Sequence, residues 1–453
     1  MTPAGEVLSD AASDGHERFT LNWPGKQKAA RLARREPCGR LVDDPERSFG
    51  PAGAPHRFIE GDNLEVLRLL RPEYAGRVRL IYIDPPYNTG RDTVYRDNYR
   101  DPAGAYLKAS GQRGRERAET DGRYHSRWLS MMYPRLVLAR ELSHPEGAVF
   151  VSIDDHEVHN LRLLMNEVWG EDCFKNCIVA SRGVKNVQAQ FQTVDSLAVG
   201  HEYLLFYARS PGARFPKLEI PLPRPRPGGW NNHWRGTERP TMRYQLFGIV
   251  PQRGQWRWGR ARSEKAVDNY QRMLRETGHR QGDGPPPAER VDAWWREQRV
   301  DLLRLSATGK PEHYVPPRSS KLGSDLWTDL SPRGSGRLAR LFGTKVFDNP
   351  KPVPLIRRLL GFATEPGRGD VVLDFFAGSC STAEAVLEQN LEDGGDRSFV
   401  MVQLPEPLDP PLELGDGTRL ETLADLGRER IRRAAADLGA GGVGMRSLRW
   451  VQR

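Results

Sequence analysis

The tetrapeptide Asp84-Pro85-Pro86-Tyr87 places a carboxylate, two rigid prolines and an aromatic ring in consecutive positions. An amino group conjugated to an aromatic base is a poor nucleophile, because its lone pair is delocalised into the ring. Two acceptors that hold its protons, the Asp84 carboxylate and the Pro85 carbonyl, would localise that lone pair, and the prolines would fix both acceptors in advance. Tyr87 offers a face on which an unstacked base can rest. The tetrapeptide therefore predicts a site that activates the amino group of a base.

A second motif, Asp374-Phe375-Phe376-Ala377-Gly378-Ser379-Cys380-Ser381-Thr382, joins an apolar strand to a helix through small residues, which let a ligand approach the backbone closely. The overlapping residues Ser381-Thr382-Ala383-Glu384 fit a capping box, which predicts a helix that begins just after the turn. The N-terminus of that helix suits a carboxylate, such as the amino-acid end of a cofactor. The spacing G-x-G-x-x-G is missing, and Ser379 lacks the frame G-x-S-x-G, which excludes a nicotinamide site and a hydrolase nucleophile.

Alternating strand and helix patterns surround both motifs. Apolar runs predict strands at 57–60, 77–83, 147–153, 371–375 and 399–404. Helical spacing predicts helices at 26–35, 64–70, 128–142, from 154 to about 169, and at 354–360, 382–389 and 421–438. This alternation is typical of a doubly wound α/β fold, whose mixed, largely parallel sheet is covered on both faces. Ligands bind beyond the carboxyl ends of such strands, and both motifs directly follow a strand.

Composition divides the chain into four segments. Residues 1–55 are an irregular lead-in, 56–180 carry the first motif, and 341–453 carry the second motif and a C-terminal helix. Between them, 181–340 is rich in Pro, Gly and Arg and holds seven of the eleven tryptophans, which predicts a separate inserted domain. The charge-rich stretch 91–127 is predicted to be a mobile loop.

The bulk properties favour a nucleic-acid partner inside the cell. The chain of 453 residues has a formal net charge of +9, and release of counterions from phosphates favours polyanionic partners for such a protein. No apolar run reaches the length of a transmembrane helix, and the N-terminus lacks the apolar core of a secretory signal. The four cysteines are too scattered for a disulfide framework or a zinc site. We expect a cytoplasmic protein that binds no membrane and no metal.

The segment from Arg253 to Arg260 interleaves guanidinium and indole groups. One interpretation is contact with DNA, in which the side chains bind phosphates, stack on bases or read guanine edges. The other is a solvated turn whose tryptophans pack into a small domain. The sequence leaves both open for the candidate DNA-binding residues, which are Arg253, Trp256, Arg257, Trp258 and Arg260.

The cluster Asp154-Asp155-His156-Glu157, followed by His159, combines metal-ligand residue types. Its spacing is H-E-x-H, and not the H-E-x-x-H of zinc enzymes. It stands where the helix ending near Trp169 would begin, so we predict that Asp154 and Asp155 cap that helix.

Together, the two motifs resemble the amino-methyltransferases of DNA, whose hallmarks are a D-P-P-Y tetrapeptide and an F-x-G-x-G loop. The tetrapeptide precedes the loop by 290 residues (from 84 to 374), an order similar to that of the beta group. Several further segments are similar to adenine methyltransferases of the type III modification-subunit kind. These are Gly61 to Leu64, Ile83 to Gly90, Val151 to Glu157, Phe347 to Pro352 and Val402 to Glu406. The likeness covers about residues 19–180 and 320–435.

The resemblance implies a fold and an activity. The fold would be Rossmann-like, as in class I methyltransferases, with the insert as target-recognition domain. Asp84 to Tyr87 would be the catalytic site for methyl transfer from S-adenosylmethionine to the 6-amino group of an adenine flipped out of double-stranded DNA. The transfer would be direct, without a covalent enzyme intermediate. A restriction or other defence-system subunit is an expected partner, and a homodimer stays open.

The resemblance also implies a set of cofactor-binding residues. Phe376, Gly378 and Ser379 would line the methionine part, with Asp374 behind them. Lys351-Pro352 would open the helix that closes over the cofactor, and Asp62 would border the pocket. Either Gln403 or Glu406 would meet the ribose hydroxyls. Cys380 and Ser381 belong to the same loop but depart from the family, which usually has glycine and threonine there, so Cys380 would be strained if a positive φ is required.

Three alternatives stay open at this point. Methylation of the 4-amino group of cytosine uses a similar pocket, although Asp before Pro-Pro favours adenine. A catalytically inactive DNA-binding subunit is conceivable because of Cys380. An RNA methyltransferase is the third alternative, and the large insert favours DNA over it.

Overall fold

The computed structural model describes residues 20–89, 123–183, 197–279, 284–331, 334–439 and 442–452. The chain divides into two compact units, the larger one made of 1–216 with 324–453 and the smaller one of 217–323. Most of the predicted loop 91–127 lies outside the described residues, and its last five residues, 123–127, belong to a helix.

The elements are numbered along the chain. The helices are α1 Lys26–Ala33, α2 Asn63–Tyr74, α3 Arg123–Leu142, α4 Val158–Trp169, α5 Arg260–Glu276, α6 Ala288–Gln298, α7 Ser335–Phe342, α8 Val353–Ala363, α9 Ser381–Asp393 and α10 Leu423–Asp437. The first strands are β1 Arg40–Asp43, β2 His56–Glu60, β3 Val78–Ile83, β4 Ser143–Ile153, β5 Phe174–Ser181, β6 His201–Ala208, β7 Glu219–Arg226, β8 Gly229–Asn232, β9 Trp234–Arg235 and β10 Gln255–Trp256. The remaining strands are β11 Leu303–Leu305, β12 Pro311–Val315, β13 Arg318–Leu322, β14 Leu326–Trp327, β15 Val371–Asp374, β16 Ser398–Gln403, β17 Pro407–Glu413, β18 Arg419–Thr422 and β19 Met445–Val451. None of the helices within the described ranges is long and apolar enough to cross a membrane.

The larger unit is built on one mixed sheet of ten strands, in the order β1-β19-β2-β16-β15-β3-β4-β6-β5-β14. The central strands β2, β16, β15, β3 and β4 run parallel to one another. This order confirms the predicted doubly wound α/β fold. Strand β15, which begins the second motif, lies directly beside β3, which begins the first. The strand order therefore brings two motifs that are distant in sequence to neighbouring strand ends.

The sheet is covered on both faces because its central strands are apolar at almost every position. All six residues of β3 are buried. Along β4, Val149 and Val151 join the core formed with α2, α3 and α4. Phe150 points to the opposite face, where it stacks on Phe206 of β6 at 4.4 Å and meets Phe362 of α8. Continuous burial of this kind is typical of strands covered by helices on both sides.

The inserted unit is shorter than the predicted range 181–340. Strand β6 lies antiparallel between β4 and β5, and β14 pairs with β5 at the edge, so these strands belong to the main sheet. Helix α7 belongs to the larger unit as well. The predicted boundaries, 181 and 340, were drawn from the Pro- and Arg-rich composition. Strand pairing, in contrast, depends on partners far away in the chain, so the smaller unit begins later and ends earlier.

The smaller unit has its own two apolar clusters. One cluster joins α5, α6 and β12 through Tyr270, Met273, Val291, Trp294 and Tyr314. The other joins Tyr244, Leu246, Trp256, Ala266 and Leu303. Strands β7 and β13 form a two-stranded antiparallel ribbon. Trp256 and Trp294 are both buried in these clusters.

Candidate active site

The two motifs open into one cavity. Strands β3 and β15 pair in parallel, with Leu373 opposite Ile81, so Asp84 and the loop after Asp374 leave the sheet at neighbouring carboxyl ends. The cavity has a volume of about 880 Å³, and its lining includes Asp84, Pro85, Pro86, Tyr87, Lys351, Pro352, Phe376, Gly378, Gln403 and Glu406. A volume of this size is ordinary for a site that holds a small-molecule cofactor.

The tetrapeptide is held rigidly at its C-terminal end. The indole Nε1 of Trp128 donates to the Pro86 carbonyl at 2.6 Å. Asn88 has a φ of 60° and donates through Nδ2 to Glu157 at 2.5 Å. Asparagine tolerates this left-handed conformation better than most residues. The chain therefore turns away sharply after Tyr87, and the Asp84 and Pro85 acceptors are fixed beside the cavity.

A cluster of charged groups surrounds Asp84. The Lys351 ammonium lies 3.2 Å from Asp84 Oδ1 and 2.7 Å from Glu202 Oε2. It also donates to the Tyr87 hydroxyl at 2.5 Å, and that hydroxyl donates to Glu202 Oε2 at 3.2 Å. Burial raises the pKa of Asp84, which Lys351 opposes and Glu202 reinforces. Burial lowers the pKa of Lys351, but the two carboxylates outweigh this effect, so the pKa of Lys351 is raised.

Sequence reasoning missed Glu202. This residue stands in β6, within the stretch that was assigned to the inserted domain, and no motif surrounds it. The pattern H-E-Y-L-L-F-Y-A, apolar over its last positions, is a signal that could have indicated a buried strand. That pattern does not indicate which strands lie beside β6 in the sheet.

The loop of the second motif presents its backbone to the cavity. Gly378 has a φ of +51°, which a glycine adopts without strain. Its N–H donates to the side-chain oxygen of Gln403 at 2.7 Å, and the amide nitrogen of Gln403 donates to the Leu404 carbonyl at 3.1 Å. The oxygen of the Gln403 amide therefore braces the loop, while its nitrogen is bonded to the backbone of the next residue. Glu406 also lines the cavity, and burial raises the pKa of its carboxyl group.

Asp374 lies behind the loop and is bonded to it. Its carboxylate accepts from the Phe376 N–H at 3.0 Å and from the Thr382 hydroxyl at 2.6 Å. Burial raises the pKa of Asp374 to about 7, against the effect of these two hydrogen bonds. Asn63 Nδ2 donates to the Phe375 carbonyl at 2.7 Å from the other side. These bonds fix the loop from behind and are not directed at the cavity.

The next part of the loop faces the protein and not the cavity. Arg430 of α10 donates to the Ser379 hydroxyl at 3.0 Å and to the Ser381 hydroxyl at 2.7 Å. Ser379, Cys380 and Ser381 are absent from the described lining of the cavity. Cys380 is buried with a φ of 59°, so the positive φ considered for this position is present. These three side chains therefore support the loop, and the loop residues that line the cavity are Phe376 and Gly378, which precede them.

The predicted capping box was wrong. Helix α9 begins at Ser381, and Cys380 stands at the N-cap without a side-chain hydrogen bond. The Ser381 hydroxyl is engaged by Arg430, and Glu384 binds Arg430 at 2.7 Å. The buried ion pair with α10 thus takes both side chains that the capping box would need.

Asp62 does not line the cavity in the described structure. It is the N-cap of α2, where its carboxylate accepts from the N–H groups of Leu64 and Glu65. Arg135 lies 3.7 Å from it. The segment Gly61 to Leu64 therefore sets the start of a helix beside the site.

The predicted DNA-binding segment is divided between packing and exposure. Trp256 is buried and donates to the Tyr244 carbonyl, and Trp258 packs against His233 and His313. Arg253 and Arg260 are exposed, whereas Arg257 donates to the Asn232 carbonyl at 3.1 Å. The two tryptophans therefore pack within the smaller unit. The exposed Arg253 and Arg260 remain candidates for contact with DNA phosphates.

The acidic-histidine cluster is structural, but its predicted caps were wrong. Helix α4 begins at Val158, with Glu157 at the N-cap and no side-chain cap. Asp154 instead accepts from the backbone and ring nitrogens of His156. Glu157 accepts from Asn88 and His125. The cluster therefore braces the turn that follows Tyr87.

Comparison with known proteins agrees with this geometry. A family model described as DNA methylase, N6_N4_Mtase, matches residues 78–403. The Mod subunit of the type III restriction-modification enzyme StyLTI from Salmonella typhimurium is 31% identical over 93% of this chain and 64% of its own length. The EcoPI Mod subunit of Escherichia phage P1 is 31% identical over 86% and 64%. The type II methyltransferase M.KpnI of Klebsiella pneumoniae is 29% identical over 77% and 80%. This chain thus spans about two thirds of the length of the type III relatives.

Solved structures were matched at low identity. The cytosine-N4-specific PvuII DNA methyltransferase covers 87% of this chain and 97% of its own, with 12% identity and a TM-score of 0.40. A DNA modification methylase of Thermus thermophilus complexed with S-adenosyl-L-methionine covers 88% and 100%, with 14% identity and a TM-score of 0.39.

Proposed function

Because the chain belongs to the N6_N4 family of DNA methylases, as the match over 78–403 shows, we propose that it methylates the 6-amino group of adenine in duplex DNA, with S-adenosylmethionine as methyl donor. The observation that carries this proposal is the shared cavity. Asp84 and Gly378, which lie far apart in the sequence, line the same space at adjacent strand ends. A donor held by one motif and an amine held by the other can meet there.

The residues present fit S-adenosylmethionine. The cavity is large enough, and Phe376 and Gly378 offer an aromatic ring and an open backbone for the methionine part. Between Gln403 and Glu406, Glu406 is the better partner for ribose hydroxyls, since the Gln403 amide is already bonded at both ends. The raised pKa of the Glu406 carboxyl reflects burial without a compensating charge, which hydroxyl donors would relieve.

The tetrapeptide residues would activate the base. The Asp84 carboxylate would accept a hydrogen bond from one N–H of the amino group, and the Pro85 carbonyl would accept one from the other N–H. These two hydrogen bonds would aim the nitrogen lone pair into the cavity. When bound, S-adenosylmethionine supplies a methyl group whose carbon–sulfur bond breaks as the nitrogen–carbon bond forms, with the electron pair left on sulfur. The amine becomes positively charged, and the Asp84 carboxylate stabilises that charge and takes the released proton. The raised pKa of Asp84 makes it a better proton acceptor than an ordinary aspartate.

The target base must leave the duplex to reach this cavity. Stacking on the Tyr87 ring would return about 1–3 kcal/mol of the cost of unstacking. The smaller unit, 217–323, would bind the DNA and select the sequence. As in the relatives named as Mod subunits, the chain would act as the modification component beside a separate restriction subunit.

The test is transfer of a labelled methyl group to duplex DNA of mixed sequence, followed by digestion to nucleosides. We expect N6-methyladenine as the product. Asp84→Asn keeps the size of the side chain but removes its charge, and we expect it to lower kcat by about 100-fold or more. Its affinity for S-adenosylmethionine, measured by calorimetry, should stay within a few-fold of the original.

Three results would contradict the proposal. A methylated cytosine as product would reject adenine and leave the rest intact. Transfer that is unaffected in Asp84→Asn would reject the assigned site. Absence of transfer on any duplex, with the cofactor bound, would favour an inactive DNA-binding subunit.

A further inference from the structure

Glu202 is a buried carboxylate that the proposed chemistry does not use. It projects from the antiparallel strand β6 into the cavity, and its residue is 8% exposed. It is the nearer of the two carboxylates to the Lys351 ammonium, at 2.7 Å against 3.2 Å for Asp84. It also accepts the hydroxyl proton of Tyr87. Glu202 therefore touches the two side chains that stand next to Asp84.

The formal charges of the cluster show what Glu202 contributes. With Asp84 and Glu202 ionised and Lys351 protonated, the cluster carries one net negative charge. Without Glu202, the lysine would neutralise Asp84 completely. An amine that gains positive charge during transfer would then face a pair of groups with no net charge. In a site shielded from water, such a difference is felt strongly.

Glu202 also fixes geometry. Lys351 donates to the Tyr87 hydroxyl, and the hydroxyl donates onward to Glu202, so the three groups form a closed set of hydrogen bonds. The Lys351 ammonium is thereby drawn toward β6, and the Tyr87 ring on which the base would rest is held at its hydroxyl end.

We infer that Glu202 is a positioning residue for methyl transfer: it holds the Lys351 ammonium and the Tyr87 hydroxyl so that Asp84 retains an uncompensated negative charge for the amino group of the base. This inference rests on the proposed function and deepens it. It assigns a role to a strand that carries no recognised motif.

Two variants separate charge from packing. Glu202→Gln keeps the shape and removes the charge, whereas Glu202→Asp keeps the charge and shortens the side chain. We expect Glu202→Gln to lower kcat by about 10-fold to 100-fold, less than the loss of a group that touches the reacting amine. Glu202→Asp should be faster than Glu202→Gln. The Kd of S-adenosylmethionine should change less than about 3-fold in both, because neither substitution touches Glu406 or Gly378.

Glu167→Gln is the matched control. Glu167 pairs with Lys26 at 2.8 Å, nearly the same distance as in the Glu202–Lys351 pair, and lies outside the described lining of the cavity. Its replacement should leave kcat unchanged.

A second readout needs no substrate. Amine acylation reacts only with neutral lysine, and removing the Glu202 charge favours the neutral form of Lys351. We expect acylation of Lys351 at pH 8–9, followed by mass spectrometry of the peptide, to be several-fold faster in Glu202→Gln than in the unaltered protein. The exposed Lys345 provides an internal reference. Asp84, Glu202 and Tyr87 are the titratable groups around Lys351 in the described structure.

The outcomes distinguish the inference from the proposed function. A kcat of Glu202→Gln equal to that of the unaltered protein, or lower in Glu202→Asp than in Glu202→Gln, would overturn the inference while methylation stands. If the unaltered protein transfers no methyl group, the proposed function fails, and Lys351 acylation alone decides: a faster reaction in Glu202→Gln supports the charge role, and an unchanged one rejects it.

If Glu202→Gln does not fold, the acylation rate of Lys351 and the kcat are measured for Glu202→Asp and compared with those of the unaltered protein. Unchanged acylation together with a kcat more than about 10-fold lower would indicate packing and overturn the inference.

Discussion

At the scale of single residues, Asp374 shows how a supporting carboxyl group differs from a reacting one. It is buried behind the loop, and its hydrogen bonds go to the Phe376 N–H and the Thr382 hydroxyl. Burial raises its pKa to about 7 from 3.8. Burial also raises the pKa of Asp84, but this group lies beside the charged groups Lys351 and Glu202, of which Lys351 lowers that pKa and Glu202 raises it further. The two carboxyl groups at adjacent strand ends are therefore tuned by different neighbours.

The raised pKa of Asp374 predicts a pH dependence of stability. The folded protein holds this proton more tightly than the unfolded chain, so the stabilisation is complete below pH 3.8 and is lost as pH rises through about 7. Asp374→Asn removes this titration. We expect its free energy of unfolding, relative to the unaltered protein, to increase from pH 5 to pH 8. Urea unfolding at several pH values measures it, and a difference that does not change with pH would contradict the assignment.

Cys380 is a residue whose backbone suits glycine. Its φ of 59° places it in the left-handed region, which costs a non-glycine residue roughly 1 kcal/mol. Its buried thiol compensates by packing, since its Sγ lies against α10 at Gly427. A second glycine is therefore not required for the turn itself, and the departure from the family motif is accommodated by a neighbouring helix.

At the scale of elements, the contact between the loop and α10 depends on that pair of residues. A Cβ placed on Gly427 would lie 2.8 Å from Cys380 Sγ and 3.2 Å from a ring carbon of Phe58. Arg430, one turn further along α10, donates to Ser379 and Ser381. Helix α10 thus supports the loop of the second motif by close packing at Gly427 and by hydrogen bonds from Arg430.

We predict that Gly427→Ala destabilises the protein by about 1–3 kcal/mol, because the added methyl group overpacks this contact. In the Cys380→Gly background the same substitution should cost less, since the sulfur atom has been removed. Chemical denaturation of the two single variants and the double variant measures the coupling. Equal costs in both backgrounds would show that Phe58 and the backbone, not Cys380, restrict this position.

At the scale of the whole molecule, the positive charge is concentrated in one unit. Residues 217–323 contain 21 Lys and Arg against 11 Asp and Glu, a net charge of +10. The rest of the chain has 47 against 48, a net charge of −1. The net charge that suggested a nucleic-acid partner therefore belongs to the inserted unit. The unit that holds the cavity is nearly neutral.

The ribbon of β7 and β13 predicts a measurable salt dependence. Arg224, Arg226 and Arg318 are exposed on it, and no acidic side chain of the described residues pairs with them. A two-stranded ribbon fits the major groove of DNA. Replacing all three with glutamine should reduce the slope of log Kd against log salt concentration by up to about 3, since each phosphate contact contributes about 0.9.

The matched control for this prediction replaces Arg34, Arg35 and Arg40, which are exposed on the larger unit. It should leave the slope nearly unchanged. Fluorescence anisotropy with a labelled duplex at several salt concentrations measures both variants. Equal slopes for the ribbon variant and the control would remove the ribbon from the DNA-binding surface.

Local patterns in the sequence were sufficient for the two motifs, for the five parallel central strands and for seven helices of the larger unit. Apolar runs such as Val78–Ile83 identify strands because full burial favours apolar side chains at successive positions. The tetrapeptide and the small-residue loop follow their strands directly, so the edge of the sheet on which they lie could be predicted as well. Helix caps were less predictable, since Ser381 and Glu384 bind Arg430 instead of the helix backbone.

Only the tertiary structure decided which distant residues complete the site. Glu202 lies 115 positions after Tyr87 and 149 before Lys351, and it reaches both because β6 inserts antiparallel between β4 and β5. Strand order depends on the combined pairing and packing of the whole sheet, and no local spacing records it. For the same reason the composition of 181–340 misplaced the boundary of the inserted unit. Residue types indicate which chemistry is available, and the order of the strands determines which of them meet.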